Sequence, residues 1–279
     1  MNTRLSAPEY VLTDSDFNRL RDIVRELTGI SLADSKRELV YSRLARRLRK
    51  LQLTSFGAYC ALVEKGNADE LQELTNAMTT NLTSFFRENY HFEQLAGEAL
   101  PYIFELRAES RRVRLWSAGC STGEEPYSMA MVLRETQRSF ADWDIRLLAT
   151  DIDSKVVQTA AAGRYAAEQL KGVDAARLAR WFEPGEAEQH YAVADELKSL
   201  ITFKRLNLLE SWPIKGPFDV IFCRNVAIYF DKDTQRELFE RMAGLQEPGG
   251  WLFIGHSENL FHVTRHYKLG GRTVYRRVA

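Results

Sequence analysis

Between Arg114 and Tyr127 the chain reads RLWSAGCSTGEEPY, an apolar run that breaks at glycine and reopens as an acidic, proline-bearing helix start. That order of signals admits few folds: a strand must end at a tight turn, and the turn must hand the chain to a helix. Gly119 and Gly123 permit the close backbone approach to a ligand that a Cβ would block, while Glu124, Glu125 and Pro126 suit a first helical turn. Ser121 stands where a G-x-G-x-x-G pattern places its middle glycine, which disfavours the pyrophosphate cradle of a dinucleotide fold. Carboxylates at the helix opening also repel phosphate and suit a ligand with a positive charge or an amino group. S-adenosylmethionine (SAM) is such a ligand.

The same alternation continues downstream. Strand-like runs at 113–117, 145–150, 218–223 and 251–255 are separated by helical patterns at 126–137, 155–162 and 234–245, which predicts a parallel sheet flanked by helices. Residues 267–269, Gly270-Gly271 and 273–278 read as a hairpin with a two-residue turn, so the sheet should close with an antiparallel pair, as SAM-dependent methyltransferases do. Residues 183–204, with Pro184-Gly185, HYAVA and LITF, interrupt the alternation and read as a small inserted β-subdomain. Ahead of the sheet, Phe17, Leu20, Ile23, Val24 and Leu27 recur at helical spacing until Gly29, opening an all-α unit. The expected organisation is an all-α domain over 1–75, a mostly helical linker over 76–110 that contributes to the active site, and a Rossmann-like α/β domain over 111–279.

No apolar run approaches the roughly 18 residues of a membrane span, and the start MNTRLSAPEY lacks a secretory stretch, so a cytoplasmic protein without membrane insertion is expected. Cys60, Cys120 and Cys223 are odd in number and widely spaced, which predicts reduced thiols and no metal site. The 38 basic and 38 acidic residues cancel overall but not locally. A helix over 36–51 sets Leu44, Leu48 and Leu51 on one side and Lys36, Arg37, Arg43, Arg46, Arg47, Arg49 and Lys50 around the rest, offset only by Glu38. It is either a solvated face whose long side chains cover apolar surface or a docking surface for an acidic partner. Nucleic acid is disfavoured, because no aromatic residues interleave with the arginines and no second basic element accompanies them.

In an open α/β sheet the ligand lies beyond the carboxyl ends of the strands. Asp151, ending the second strand in ATDID, is placed to accept hydrogen bonds from both hydroxyls of a ribose, whereas Asp153 better suits capping the helix that follows. Arg224, Asn225 and Tyr229 follow the apolar run FDVIFC, and polar groups at a strand mouth need partners. In NAMTTNLTSFFRE, Arg87 follows Phe85 and Phe86 and can hold its fork beside a shielded site. His91, His190, His262 and His266 read as surface or packing residues, and His256 lies at a strand end where it can line a cleft.

The strings NLTSFFRE, WSAGCSTGEEPYS, ATDID, FCRNVAIYFD and GHSEN, in this order across about 175 residues, closely resemble the chemotaxis receptor methyltransferases of the CheR family. The resemblance implies methyl transfer from SAM, with S-adenosylhomocysteine as product, to glutamates on the cytoplasmic helices of methyl-accepting chemotaxis receptors. It implies that Asn81, Thr83 and Arg87 border the cofactor and the transfer site, that Glu125 contacts SAM from the loop holding Gly119, and that Asp151 takes the ribose. Asn207 and Leu208 would lie by the adenine, Arg224 and Asn225 would finish the pocket, and Tyr229 would project toward the reacting centre beside Arg87. Arg43, Arg46, Arg47 and Arg49 would then dock the acidic receptor surface. A monomer is expected. The turn in FEPGEAEQHYAV holds only Gly185, which argues against grip on a receptor tail peptide. The alternative to an enzyme is a SAM-binding sensor or scaffold without transfer.

Overall fold

The computed structural model describes residues 9–136, 142–185 and 187–278. Most of the N-terminal stretch read for a signal, Gln137 at the end of an expected helix, and Glu186 in the FEPGEAEQHYAV turn lie outside the described residues. The chain divides into two compact units between Thr80 and Asn81. By this division residues 76–80 finish the first unit, and residues 81–110 belong to the second.

In the first unit α1 (Asp14–Thr28), α2 (Arg37–Lys50), α3 (Phe56–Glu64) and α4 (Ala68–Met78) enclose Phe17, Leu20, Leu44, Leu48, Tyr59 and Leu74. Full burial of such a side chain contributes roughly 1.5–3 kcal/mol. Thr13 caps α1 by accepting the Asp16 N–H at 3.1 Å, and Gly29, at φ 72°, ends it with its N–H on the Arg25 carbonyl. Three of the four arginines expected to dock a partner are engaged inside this unit. Arg43 Nη1 donates to the carbonyls of Ala77, Met78 and Thr79 at 3.1, 3.0 and 2.8 Å, satisfying the open end of α4. Arg47 pairs with Glu73 and with buried Glu70, which also accepts the Tyr59 hydroxyl at 2.8 Å. Arg49 pairs with Glu9 at 3.2 Å, and both it and Arg46 are exposed.

The second unit opens with α5 (Tyr90–Gln94) and α6 (Leu100–Leu106), joined by a π-helical turn, Leu95–Ala99. The expected helix therefore starts late, because residues 81–84 are irregular and 85–89 are turns. Next come β1 (Arg112–Ala118), α7 (Glu124–Thr136), β2 (Asp144–Asp151) and α8 (Ser154–Ala162). After β3 (Arg164–Ala166), α9 (Ala175–Trp181), β4 (Phe182–Pro184), β5 (His190–Val193) and α10 (Asp195–Lys198), the chain returns in β6 (Ile201–Arg205). It ends with β7 (Val220–Cys223), α11 (Lys232–Gly244), β8 (Trp251–Ile254), β9 (Tyr267–Gly271) and β10 (Val274–Arg277).

Seven strands form one sheet in the order β6-β2-β1-β7-β8-β10-β9. The first five are parallel neighbours, and β10 runs antiparallel to both β8 and β9. The sheet is thus mostly parallel with an antiparallel close. Its strand order reverses between β1 and β7, which opens a crevice at their carboxyl ends. Beneath it Trp116, Phe222 and Phe253 are fully buried, the two phenylalanine rings stacked at 4.3 Å. Asp219, the polar residue in the apolar FDVIFC run, accepts from Arg107 Nε and the Arg114 N–H, both at 2.8 Å.

Two boundaries differ from the sequence reading. The inserted sheet is β3-β5-β4, so it begins at Arg164 rather than at 183 and ends with β5 at Val193. The LITF run instead supplies β6, which pairs with β2 from Leu147↔Ile201 to Asp151↔Arg205, because its apolar side chains complete the main sheet's edge. The terminal hairpin turns at Arg272-Thr273, not Gly270-Gly271: Gly271 pairs with Val274, and a bulge falls between that pair and Tyr275↔Leu269.

Candidate active site

The site is assembled where β1, β2, β7 and β8 end. Gly119 has φ 94°, and a Cβ there would lie 2.4 Å from Val226 Cγ2; Gly123 has φ 101° and faces the Tyr165 hydroxyl, which its Cβ would meet at 2.7 Å. The nearest neighbours that require these glycines are therefore protein atoms. Ser121 adopts φ 49°, and its place in the turn is fixed by two bonds. Its N–H donates to Asp151 Oδ2 at 2.8 Å, and its hydroxyl to the Asn81 carbonyl at 3.1 Å. Asp151 Oδ1 accepts the Asp153 N–H at 3.0 Å, and burial pushes this carboxyl up to about 6 despite those donors. Asp153 caps α8 through Oδ1 and accepts Asn81 Nδ2 on Oδ2 at 2.8 Å, so it does more than the capping assigned to it. Leu206 N–H on the Asp151 carbonyl brings buried Asn207 and Leu208 to the same strand end.

Arg224 is the buried hub of the other half. Its side chain is 2% exposed, lies 5.6 and 5.8 Å from the Phe92 and Phe222 ring centroids, and reaches two carboxylates. Nη1 donates to Glu125 Oε2 at 3.1 Å, and Nη2 lies 3.3 Å from Glu88 Oε2 while also bonding the Arg87 carbonyl. Glu125 Oε1 accepts the Ser117 hydroxyl at 2.7 Å; its burial still raises the carboxyl against the pull of Arg224. For Glu88 the balance is the reverse. Burial would raise it, but the His256 hydrogen bond and the Arg224 charge hold it at about 2. His91, fully buried beside them and 2.9 Å from Thr273 Oγ1, is kept neutral by burial and by Arg224, its ring lowered to about 3.

Asn225 stands at φ 58° directly after β7. Its backbone is held by Glu258, a buried carboxylate of the GHSEN string: the N–H groups of Asn225 and Gly255 donate to Oε2, and those of Val226 and Ile228 to Oε1, at 2.5–3.2 Å. Tyr229 follows on a short helical turn, Ala227–Tyr229, partly exposed. Arg87 and Thr83 are also partly exposed, and Arg87 Nη1 donates to the Leu82 carbonyl at 2.7 Å. The structure thus brings Asn81, Gly119, Glu125, Asp151, Asn207, Leu208, Arg224 and Asn225 to one edge, with Thr83, Arg87 and Tyr229 on the segments crossing it. Sequence reasoning missed Glu88 and Glu258. Both lie inside the singled-out strings NLTSFFRE and GHSEN, which were the only signals pointing to them.

Two family domains cover almost the whole chain. The all-alpha domain of CheR methyltransferases matches residues 15–79, and their SAM binding domain matches residues 81–276. The chain belongs to the CheR methyltransferase family. A chemotaxis protein methyltransferase of Escherichia coli K12 is 46% identical over 95% of this chain and 91% of its own. Chemotaxis protein methyltransferase 2 of Pseudomonas aeruginosa is also 46% identical, over 96% and 94%, and a probable chemotaxis protein methyltransferase of Rhizobium etli is 45% identical, over 89% and 94%.

This CheR methyltransferase is accordingly a SAM-dependent enzyme of chemotaxis and not a non-catalytic SAM-binding module. The residues gathered at these strand ends fit SAM on charge: Asp151, Glu125 and Glu88 are set against one buried counterion, Arg224, an acidic balance that suits a sulfonium and an amino group and disfavours phosphate. No helix among the described residues is long and apolar enough to cross a membrane.

Proposed function

We propose that the chain methylates glutamate side chains on the cytoplasmic helices of chemoreceptors, forming γ-glutamyl methyl esters. The carrying observation is that each carboxylate at the crevice is already committed. Asp151 accepts backbone N–H groups, Glu125 accepts Ser117 and Arg224, Glu88 accepts Arg224 and His256, and Glu258 accepts four backbone N–H groups. None stands ready to take a proton from an amine or hydroxyl. A glutamate, with pKa about 4.3, arrives already ionised and needs no general base.

SAM supplies an activated electrophilic methyl when bound. The chain's task is then to position: Asn81, Glu125 and Asp151 hold the cofactor, Asn207 and Leu208 its adenine end, and Arg224 with Asn225 sets the wall between cofactor and acceptor. Arg87 and Tyr229 hold the acceptor carboxylate in line. Transfer of labelled methyl to receptor-bearing membranes, with base-labile methanol as readout, tests the reading. Base-stable label would overturn the ester, and no label at all the acceptor class.

Of the four docking arginines, Arg46 and Arg49 remain exposed, so the acidic receptor surface is assigned to them. Reversing both to glutamate should raise KM for the receptor several-fold with SAM affinity unchanged, since rim charges act through encounter and salt-dependent attraction. An unchanged KM in low salt removes this surface from the reading.

Asp151 accepts ribose hydroxyls best as a carboxylate. With its carboxyl pushed up to about 6, SAM affinity should fall about tenfold from pH 7 to pH 5. The sign for stability is opposite. The folded value lies above the unfolded one, so the folded state binds the proton more tightly, and ionising Asp151 costs stability as pH rises from about 4 to 6. Calorimetric titration of SAM should show this slope flatten, with weaker binding throughout, in Asp151→Asn.

A further inference from the structure

The turn Gly255-His256-Ser257-Glu258, which the methyl-transfer roles above leave unused, is fastened on both sides to the segments that carry Arg87 and Tyr229. On one side Glu88, the neighbour of Arg87, accepts the His256 backbone N–H at 3.1 Å and His256 Nδ1 at 2.8 Å. On the other, Glu258 holds the N–H of Ile228, the neighbour of Tyr229, at 3.2 Å. The turn that carries His256 and Ser257 thus ties together the two segments holding the residues assigned to the acceptor. The His256 side chain is 63% exposed, yet both of its ring nitrogens are engaged, Nε2 lying 2.9 Å from the Ser257 hydroxyl. An exposed side chain gains little from such fixing unless a ligand meets it, because orientation costs rotamer entropy that burial does not offset here.

We propose that His256 and Ser257 form an acceptor-binding pair, the third hold on the substrate carboxylate beside Arg87 and Tyr229. The chemistry follows from the tautomer. Glu88, ionised and tied to Arg224, accepts the hydrogen bond from Nδ1–H, which leaves Nε2 to accept the Ser257 hydroxyl and turns that pair outward. An arriving carboxylate oxygen can receive the serine O–H, which rotates away from Nε2 without movement of the backbone. Glu258 keeps the pair in place from beneath. Glu125, Arg224, Glu88 and His256 make a continuous polar chain, which links the cofactor end of the site to this exposed imidazole. The proposal rests on the glutamate-acceptor reading and deepens it by naming a specificity element.

The test uses the full-length chain, receptor-bearing membranes and labelled SAM. Ser257→Ala should raise KM for the receptor about tenfold, the loss of one hydrogen bond to a charged group, while calorimetric SAM affinity and thermal midpoint stay at wild-type values. Two further variants separate binding from mere support of Glu88. In His256→Asn the amide reproduces the Nδ1 donor but leaves no acceptor at the Nε2 position to orient the serine, so KM should be raised; in His256→Gln the amide oxygen reproduces that outer acceptor, and KM should recover in part. A wild-type KM with Asn but not with Gln assigns His256 to holding Glu88 and overturns the proposal, as does a wild-type KM in Ser257→Ala. If the wild-type chain transfers no methyl to the membranes, it is the acceptor class that has failed, a result distinct from either.

Discussion

Replacing Arg224 with methionine is expected to destabilise the second unit by about 3–5 kcal/mol, the usual cost of leaving a buried charge without its partner. Arg224 is nearly inaccessible and stands between Glu88 and Glu125. Methionine keeps most of the apolar stem's packing against Phe92 and Phe222, so the loss reports charge rather than a cavity. What remains are two carboxylates in a low-dielectric site, Glu88 held at about 2 only because a cation and an imidazole donor offset its burial. The penalty should therefore shrink as pH falls, because the stranded carboxylates take up protons and lose their charge. A drop of roughly 10 °C in the melting midpoint at neutral pH is the scale for a unit of this size. Adding Glu88→Gln and Glu125→Gln to Arg224→Met should restore much of the loss. If the triple variant is no more stable than the single one, the network is not what Arg224 supports.

That network shows where sequence reading reached and where it stopped. Strand ends were legible because each follows an apolar run and closes on glycine, aspartate or a polar pair, so Gly119, Asp151, Arg224 and Asn225 were found at the mouth they occupy. Glu88 and Glu258 were not, since their partners lie far away in sequence: Glu88 bonds Arg224 and His256, and Glu258 bonds the backbone of 225–228. A loop carboxylate carries no periodicity that distinguishes such a role from solvation. The LITF run failed for a related reason. A short, largely apolar run predicts a strand but not its sheet, and only pairing with β2 placed it at the main edge. In the basic helix, composition exposed the cluster, but Arg43 and Arg47 are spent on α4 carbonyls and on Glu70 and Glu73, which spacing within one helix cannot reveal.

Arg87→Ala is expected to lower kcat/KM for methyl transfer by about 10²–10³-fold, the range seen when one preorganised donor is removed from a reacting centre. The fold should survive, because Arg87 is partly exposed and, among the described residues, its side chain bonds only the Leu82 carbonyl. That single bond leaves the rest of the fork for a planar, bidentate partner such as a carboxylate. Its position is nevertheless rigid: the Arg87 carbonyl is bonded by Arg224, Phe86 before it and Glu88 after it both adopt left-handed backbone, and the Phe86 N–H donates to Ser128 at 3.0 Å. Anchoring of this kind lets one guanidinium fix an approach angle, which matters more here than proton transfer because the acceptor is already an anion. Arg87→Lys then becomes the informative companion. It restores the charge but not the fork, so if orientation is the function it should recover receptor affinity while leaving kcat depressed; recovery of both would reduce Arg87 to simple charge attraction.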